Sequence, residues 1–244
     1  MSDYRSNPAL GGSDLRNMVL DWEKWLFERE LILSGQVPEW FDKGPSPAAE
    51  FGTLVHRALL EPWHHQKDVV MPYVRSFALK EGKTIKAEAE EQAKAQGGIV
   101  IRHEHGWALE HIKRNFQIML AENALFETTP ESTELECYGK VLDIPIKGKL
   151  DWLHDDILID LKTISDWKKR QEVLFSSCYH VQLAHYESLL PKRPSQLAII
   201  WVESVAPYRV EFQPLEDGVA QMGRIAKDKA MQRYRDYLDG EVVF

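Results

Sequence analysis

Cysteine is scarce in this chain: Cys137 and Cys178 are the only two in 244 residues. That leaves no disulfide framework and suits a reducing cytosol. It also excludes an iron–sulfur cluster held by four cysteine thiolates, on ligand number alone. No apolar run approaches the ~18 residues of a membrane-spanning helix, so no membrane association is expected. The opening Met1-Ser2-Asp3-Tyr4-Arg5 has neither a charged n-region nor an apolar h-region, and no secretion signal is expected. A Gly-x-x-x-x-Gly-Lys-Ser/Thr loop is missing, which argues against helicase-type nucleotide hydrolysis. Positive charge is in deficit too: 30 Lys and Arg stand against 38 Asp and Glu, a net charge of −8. Phosphate affinity comes largely from Lys and Arg. A nucleic-acid partner would therefore need a local basic path rather than a basic whole. Arg16, Arg57, Lys80, Lys83, Lys86, Lys149, Lys162, Lys168, Lys169 and Arg170 are the candidates for one.

What is present suffices for one domain over 1–244, since 44% of the residues are hydrophobic. The chain divides into a mainly helical part over 1–130, a sheet core over 131–213 and a C-terminal helix over 214–244. Residues 13–34 read as one helix capped by Ser13, with Leu15, Met18, Val19, Trp22, Trp25, Leu26 and Ile32 on its apolar face. A loop rich in Gly and Pro follows from Gly35 to Pro47. Ser46-Pro47 then opens a second helix, which runs through His56 to about Leu60. Lys83 to Gln96 is strongly helix-forming and stopped by Gly97-Gly98. It reads either as a solvated helix or as a DNA-facing arm, because Lys80, Lys83 and Lys86 cluster at its start. Ile99–Ile101 reads as a short strand before a helix over about Glu104 to Asn123. His103, His105 and His111 lack the ligand spacing of a zinc site and read as capping and surface chemistry. Strands are expected at 133–140, 144–154, 157–163, 195–204 and 207–213. Helices are expected at 178–190 and from about Leu215 to Leu238. The alternation implies an α/β (α+β) fold, a mixed sheet with helices packed on it.

The densest signal is Gly148-Lys149-Leu150-Asp151, a turn at Asp155-Asp156, then Asp160-Leu161-Lys162. It reads as a hairpin of two strands. Alternation along a strand puts Asp160 and Lys162 on one face, and Asp151 reaches that face from the neighbouring strand. Two clustered carboxylates repel each other, and a cation such as Mg²⁺ relieves that repulsion by taking oxygen ligands from both. An Asp-x-Lys by itself also fits a solvated face with a cross-strand ion pair. His56 sits at the flank of an apolar helical stripe, where a core histidine is the plainer reading. Gln182 and Tyr186, four residues apart, share one helix face.

Taken in order, Gly52…His56, Gly148…Asp151, Asp160-Leu161-Lys162 and Gln182…Tyr186 resemble the signature of the RecB-like branch of the PD-(D/E)xK nuclease superfamily. Gly11-Gly12-Ser13-Asp14-Leu15, the phrase Gly52 to Pro62 and Ile159 to Thr163 resemble the RecE-type (exonuclease VIII) members, with phage lambda exonuclease as a more distant relative. The resemblance runs from about Ser13 to about Phe212. Its second acid is Asp160, where many superfamily members carry Glu.

The resemblance implies a restriction-endonuclease-like core with an N-terminal helical elaboration. It implies a 5′→3′ exonuclease on linear double-stranded DNA, leaving a 3′ single strand for an annealing recombinase. The expected setting is the cytoplasm of a bacterial or phage-infected cell, with three or four subunits in a ring around the DNA. Two Mg²⁺ ions roughly 4 Å apart, replaceable by Mn²⁺, would be held by His56, Asp151, Asp160 and the Leu161 carbonyl. Lys162 would orient and help deprotonate the attacking water. Gln182 would position the phosphate with Tyr186 beside it, Ser13 and Arg16 would grip a 5′-phosphate, and Glu122 is an extra acid. A structure-specific endonuclease with the same core, or a catalytically silent DNA-binding subunit, are the alternatives.

Overall fold

The computed structural model describes Tyr4 and residues 7–36, 44–76, 78–123 and 132–241. Its centre is a five-stranded sheet in the order β3-β4-β5-β6-β7. These strands are Ser132–Val141, Ile144–His154, Ile157–Ile164, Gln196–Glu203 and Val210–Pro214. All neighbours are antiparallel except β5 and β6, which run parallel. Both hairpin bends sit at residues with positive φ: Leu142 and Asp143 between β3 and β4, Asp155 between β4 and β5. The expected turn at Asp155-Asp156 is therefore where the chain reverses.

Period-two alternation divides the sheet residues between two cores. Ile157, Ile159 and Leu161 of β5, with Ala198, Ile200 and Val202 of β6, pack against Val55, Leu59, Ile112 and Phe116. Those partners belong to α3 (Pro47–Leu60) and α6 (His103–Glu122). On the opposite face Leu158, Leu197, Ile199 and Trp201 meet Leu174 and Leu183. These come from α7 (Arg170–Ser176) and α8 (Tyr179–Glu187), which form the crossover from β5 to β6. Covered on both faces, β6 reads as a continuous apolar run.

A third core joins the start of the chain to its end. Leu15, Met18, Trp22 and Trp25 pack with Val181, Met231 and Tyr234. They lie on α1 (Gly12–Leu20), α2 (Trp22–Ser34), α8 and the last helix, α9 (Asp217–Leu238). A Cβ on Gly223 of α9 would lie 2.2 Å from the His180 carbonyl oxygen, so only glycine allows this approach of α9 to α8. Met222 and Ile225 of α9 are exposed.

Local chemistry moved several expected boundaries. The single helix over 13–34 is two: Asp21 leaves helical geometry and its carboxylate accepts the Lys24 N–H at 3.1 Å, starting α2 afresh. The cap of α1 is Gly11 rather than Ser13, with the Asp14 carboxylate accepting the Gly11 N–H at 2.8 Å. Ser46 caps α3 as expected, accepting the Ala49 N–H at 3.2 Å. The lysine-rich helix, α5, spans Lys80–Gln96 and ends at left-handed Gly97. α7 was not foreseen. After α3 comes a single turn of helix, α4 (Pro62–His65), and then β1 (Val69–Val70), which pairs in parallel with β2 (Val100–Ile101) as a small second sheet. Part of the expected loop between Gly35 and Pro47 lies outside the described residues. Among the described residues, no helix is long and apolar enough to cross a membrane.

Candidate metal centre on the splayed hairpin

β4 and β5 pair only through Trp152↔Ile159, Leu153↔Leu158 and His154↔Ile157, next to their turn. Beyond that the strands separate, and Asp151 fills the gap. Its carboxylate accepts the Leu161 N–H at 2.7 Å, in the place of a β4 backbone acceptor. Asp160, fully buried, lies in ion contact with the Lys162 ammonium at 2.6 Å. Neither Asp160 oxygen accepts a hydrogen bond of acceptable geometry.

Burial pushes Asp151 up to about 7, with the nearby Asp160 carboxylate adding to the rise and His56 and Lys162 opposing it. Burial works against the charge on Lys162 too, but Asp160 and Asp151 outweigh it, and its pKa is raised. Lys162 is therefore an ammonium at neutral pH.

His56 enters from α3. Its Nε2 lies 3.0 Å from the Leu161 carbonyl oxygen, while Nδ1 lies 3.5 Å from Glu134 and 3.7 Å from Asp151. Burial lowers the imidazole pKa, but Asp151 and the Glu134 contact reverse this and leave it raised. The helix approaches closely because Gly52, one turn earlier, has no side chain: a Cβ there would meet Thr163 Oγ1 at 3.2 Å.

Glu134 of β3 was not foreseen. The β3–β4 register sets it opposite Asp151, between the pairs Thr133↔Trp152 and Leu135↔Leu150. Its φ of 55° takes it out of extended geometry. It also forms an ion pair with Lys149. No local pattern marks it, since its role depends on register across the sheet.

Ligand atoms of His56, Glu134 and Asp151 all lie within 4.8 Å of one another. A divalent cation fits this donor set on two grounds. Two carboxylates and an imidazole converge, and the buried Asp160 carboxylate beside them is met by the Lys162 ammonium without a well-directed hydrogen bond. Of the four ligands expected, His56, Asp151 and the Leu161 carbonyl are adjacent, whereas Asp160 is turned to Lys162. Glu122 lies exposed at the end of α6 and is not among the gathered acids. The extra acid here is Glu134.

α8 closes the other side. Gln182 Nε2 donates to the Tyr186 hydroxyl at 2.7 Å, leaving the buried Gln182 Oε1 without a partner. Burial raises the Tyr186 pKa far above its usual value, and the Asp160 and Asp151 charges raise it further. A Cβ on Gly148 would lie 2.4 Å from Leu189 and 2.9 Å from Tyr186. One on Gly12 would lie 2.9 Å from Tyr186. Two of the motif glycines thus leave room for the ring of the motif tyrosine. On α1, Ser13 is exposed, and the Arg16 Nε donates to the Ser177 carbonyl at 2.7 Å.

The basic candidates divide. Arg57 is committed to a two-bond pair with Asp68, at 2.7 and 2.8 Å, and Lys149 to Glu134. Arg170 is paired with Glu211 at 3.3 Å. Lys80, Lys83, Lys86, Lys168 and Lys169 remain exposed. His103, His105 and His111 pack on Tyr73, Phe51 and Trp107 respectively.

A mixed sheet flanked by helices, with buried acids and a lysine at a splayed hairpin, defines the PD-(D/E)xK class of nuclease-like proteins. The chain belongs to the family described as PDDEXK-like domain of unknown function (DUF3799), whose model matches residues 33–242. Among solved structures it is similar to a candidate exonuclease from Eubacterium rectale, at 14% identity and a TM-score of 0.62. That match covers 99% of this chain and 86% of the other. It is also similar to a phage-related exonuclease from Haemophilus somnus 129PT, at 15% identity over 54% of this chain and 72% of that one. With a TM-score of 0.34, this second likeness adds nothing to the first. No curated protein matches the chain. The family match places the chain among PDDEXK-like domains, and the Eubacterium rectale structure shares its fold.

Proposed function

We propose that the protein is a divalent-metal-dependent 5′→3′ exodeoxyribonuclease of the RecE type. It would digest linear double-stranded DNA to 5′ mononucleotides and leave a 3′ single strand for annealing by a recombinase. The observation that carries the hydrolytic part is the Asp151–Asp160–Lys162 group at the splayed end of β4 and β5, where backbone pairing stops. Direction, recombination role and a ring of three or four subunits rest on the motif resemblance.

His56, Glu134, Asp151, Asp160 and the Leu161 carbonyl would hold the metal. Bound there, Mg²⁺ or Mn²⁺ supplies charge neutralisation at the phosphate and lowers the cost of forming hydroxide. Imidazole suits Mn²⁺ better than Mg²⁺, so Mn²⁺ should substitute well.

Lys162, as an ammonium, would orient the attacking water and stabilise the hydroxide left when its proton passes to bulk solvent. Water oxygen bonds to phosphorus as the P–O3′ bond breaks, and the 3′ oxygen takes up a proton. Gln182, held by Tyr186, offers its unpartnered carbonyl oxygen to position the water or its proton, and its amide to the phosphate. Ser13 and Arg16 would hold a terminal phosphate, a role that rests on the motif resemblance.

Linear duplex DNA labelled at one 5′ end, a covalently closed circle and an Asp160→Ala control test this directly. Release of 5′ mononucleotides from the linear substrate alone, absent in the variant, is the expected result. Cleavage of the circle would move the protein to the endonuclease reading. Inactivity with both Mg²⁺ and Mn²⁺ would favour a silent DNA-binding subunit.

A further inference from the structure

Tyr179 lies outside the four motif elements, yet it touches two cations of the site. The Lys162 ammonium lies 5.0 Å from its ring centroid and the Arg16 guanidinium 4.7 Å. The ring is held from several directions. Left-handed Cys178, with φ 52° and ψ 38°, precedes α8, so that Tyr179 is its first residue. Trp201 lies 6.1 Å from the ring, centroid to centroid, and is fully buried. Trp201 is also the residue paired with Lys162 across β5 and β6, and its indole N–H donates to Gln213 at 2.7 Å.

We propose that Tyr179 is the positioning residue for Lys162, its ring binding the Lys162 ammonium of β5 and the Arg16 guanidinium of α1 at once. A lysine side chain has four rotatable bonds and a compact charge, so one carboxylate partner leaves its direction loosely defined. An aromatic face beside the ammonium narrows that freedom, because the ring quadrupole attracts the cation without offering it a proton acceptor. Lys162 thereby keeps its three N–H donors for Asp160, water and phosphate. Tyr179, Gln182 and Tyr186 follow at helical spacing on α8, so one helix face supplies the ring, the amide and the hydroxyl of the site. Arg16 on the same ring ties the first helix to the lysine. This inference rests on the nuclease reading for its catalytic consequence, but not for the clamp itself.

Two readouts keep those separate. In metal-dependent DNA cleavage, Tyr179→Leu should lower kcat roughly ten-fold, the size of a partly desolvated cation–ring contact, with KM within about two-fold. Tyr179→Phe should restore most of the rate. Phenylalanines of increasing fluorination at position 179 keep the ring's shape while draining its face of electron density, and should lower kcat step by step. Acetylation of Lys162, followed by mass spectrometry on the metal-free protein, should speed up in the same order. A flat fluorination series in both readouts, or a leucine variant matching phenylalanine, would overturn the clamp and leave Tyr179 as packing. If the wild-type protein cleaves nothing, the nuclease reading falls, and the order of acetylation rates decides the clamp by itself.

Discussion

Asp151 illustrates how a candidate metal ligand works against stability. Burial and the neighbouring Asp160 hold its pKa up near 7, so at neutral pH the folded chain carries a carboxylate that would be ionised more easily in water. Asp151→Asn keeps an oxygen to accept the Leu161 N–H and removes the repulsion. In EDTA this variant should be more stable than wild type by about 1–2 kcal/mol in urea unfolding. It should also lose all cleavage and any stabilisation by Mg²⁺. A wild-type response to Mg²⁺ in the variant would remove Asp151 from the metal site. His185 gives a second prediction at this scale. Burial lowers its pKa from 6.5 to about 4, against a 2.8 Å contact of its Nε2 with the Lys147 carbonyl. Below pH 6.5 the unfolded chain binds a proton that the native one refuses, so stability falls as pH falls, through to about pH 4. The loss should approach roughly 3 kcal/mol. Urea unfolding at pH 7 and pH 4.5 should show it in wild type and less of it in His185→Asn; equal pH dependence in the two would exclude His185 as the source.

At the scale of elements, the site depends on close approaches between a sheet and two helices. Gly148 on β4 faces Tyr186 and Leu189, and the space for a Cβ does not exist. Gly148→Ala must displace either the tyrosine or the leucine, at a cost of about 1–3 kcal/mol. Because Tyr186 holds Gln182, activity should fall further than stability explains, and single-turnover cleavage at a temperature well below unfolding would separate the two. Wild-type single-turnover rates in that variant would show that Leu189 alone yields. Gly52→Ala meets only Thr163 Oγ1, at 3.2 Å, and should cost less.

For the whole molecule, a net charge of −8 means that the proposed DNA substrate would have to meet a selected surface. α5 presents Lys80, Lys83 and Lys86 exposed at one end, Lys86 3.6 Å from Glu90, whereas Arg57, Lys149 and Arg170 are less exposed and paired with acids. If α5 faces the DNA, changing its three lysines to Glu should weaken duplex binding and flatten the dependence of log Kd on log salt by roughly two to three units. An unchanged salt slope would make α5 a solvated helix. The proposed ring predicts a solution mass three or four times that of one chain, measured by sedimentation; a monomer at working concentration would sink it.

Much of the site could be read directly from the chain. Gly148 to Lys162 spells out a hairpin, its turn and one shared face, because strand periodicity is local and needs no partner to be recognised. The caps at Ser46 and Gly97 are equally local. Other features depended on contacts far apart in sequence. The break at Asp21 is itself a local cap, its carboxylate accepting the Lys24 N–H, but the contact of Trp22 and Trp25 with Tyr234 of α9 spans nearly the whole chain. Glu134 joins the acids only through the β3–β4 register, and Tyr179 meets Lys162 only through the crossover that lays α8 over β5 and β6. Alternation and capping are properties of a few consecutive residues, and so the sequence by itself determined the strands, the turns and the paired acids. Which further side chains complete the site was decided by the tertiary structure, since only the folded sheet and its helices bring those atoms within bonding distance.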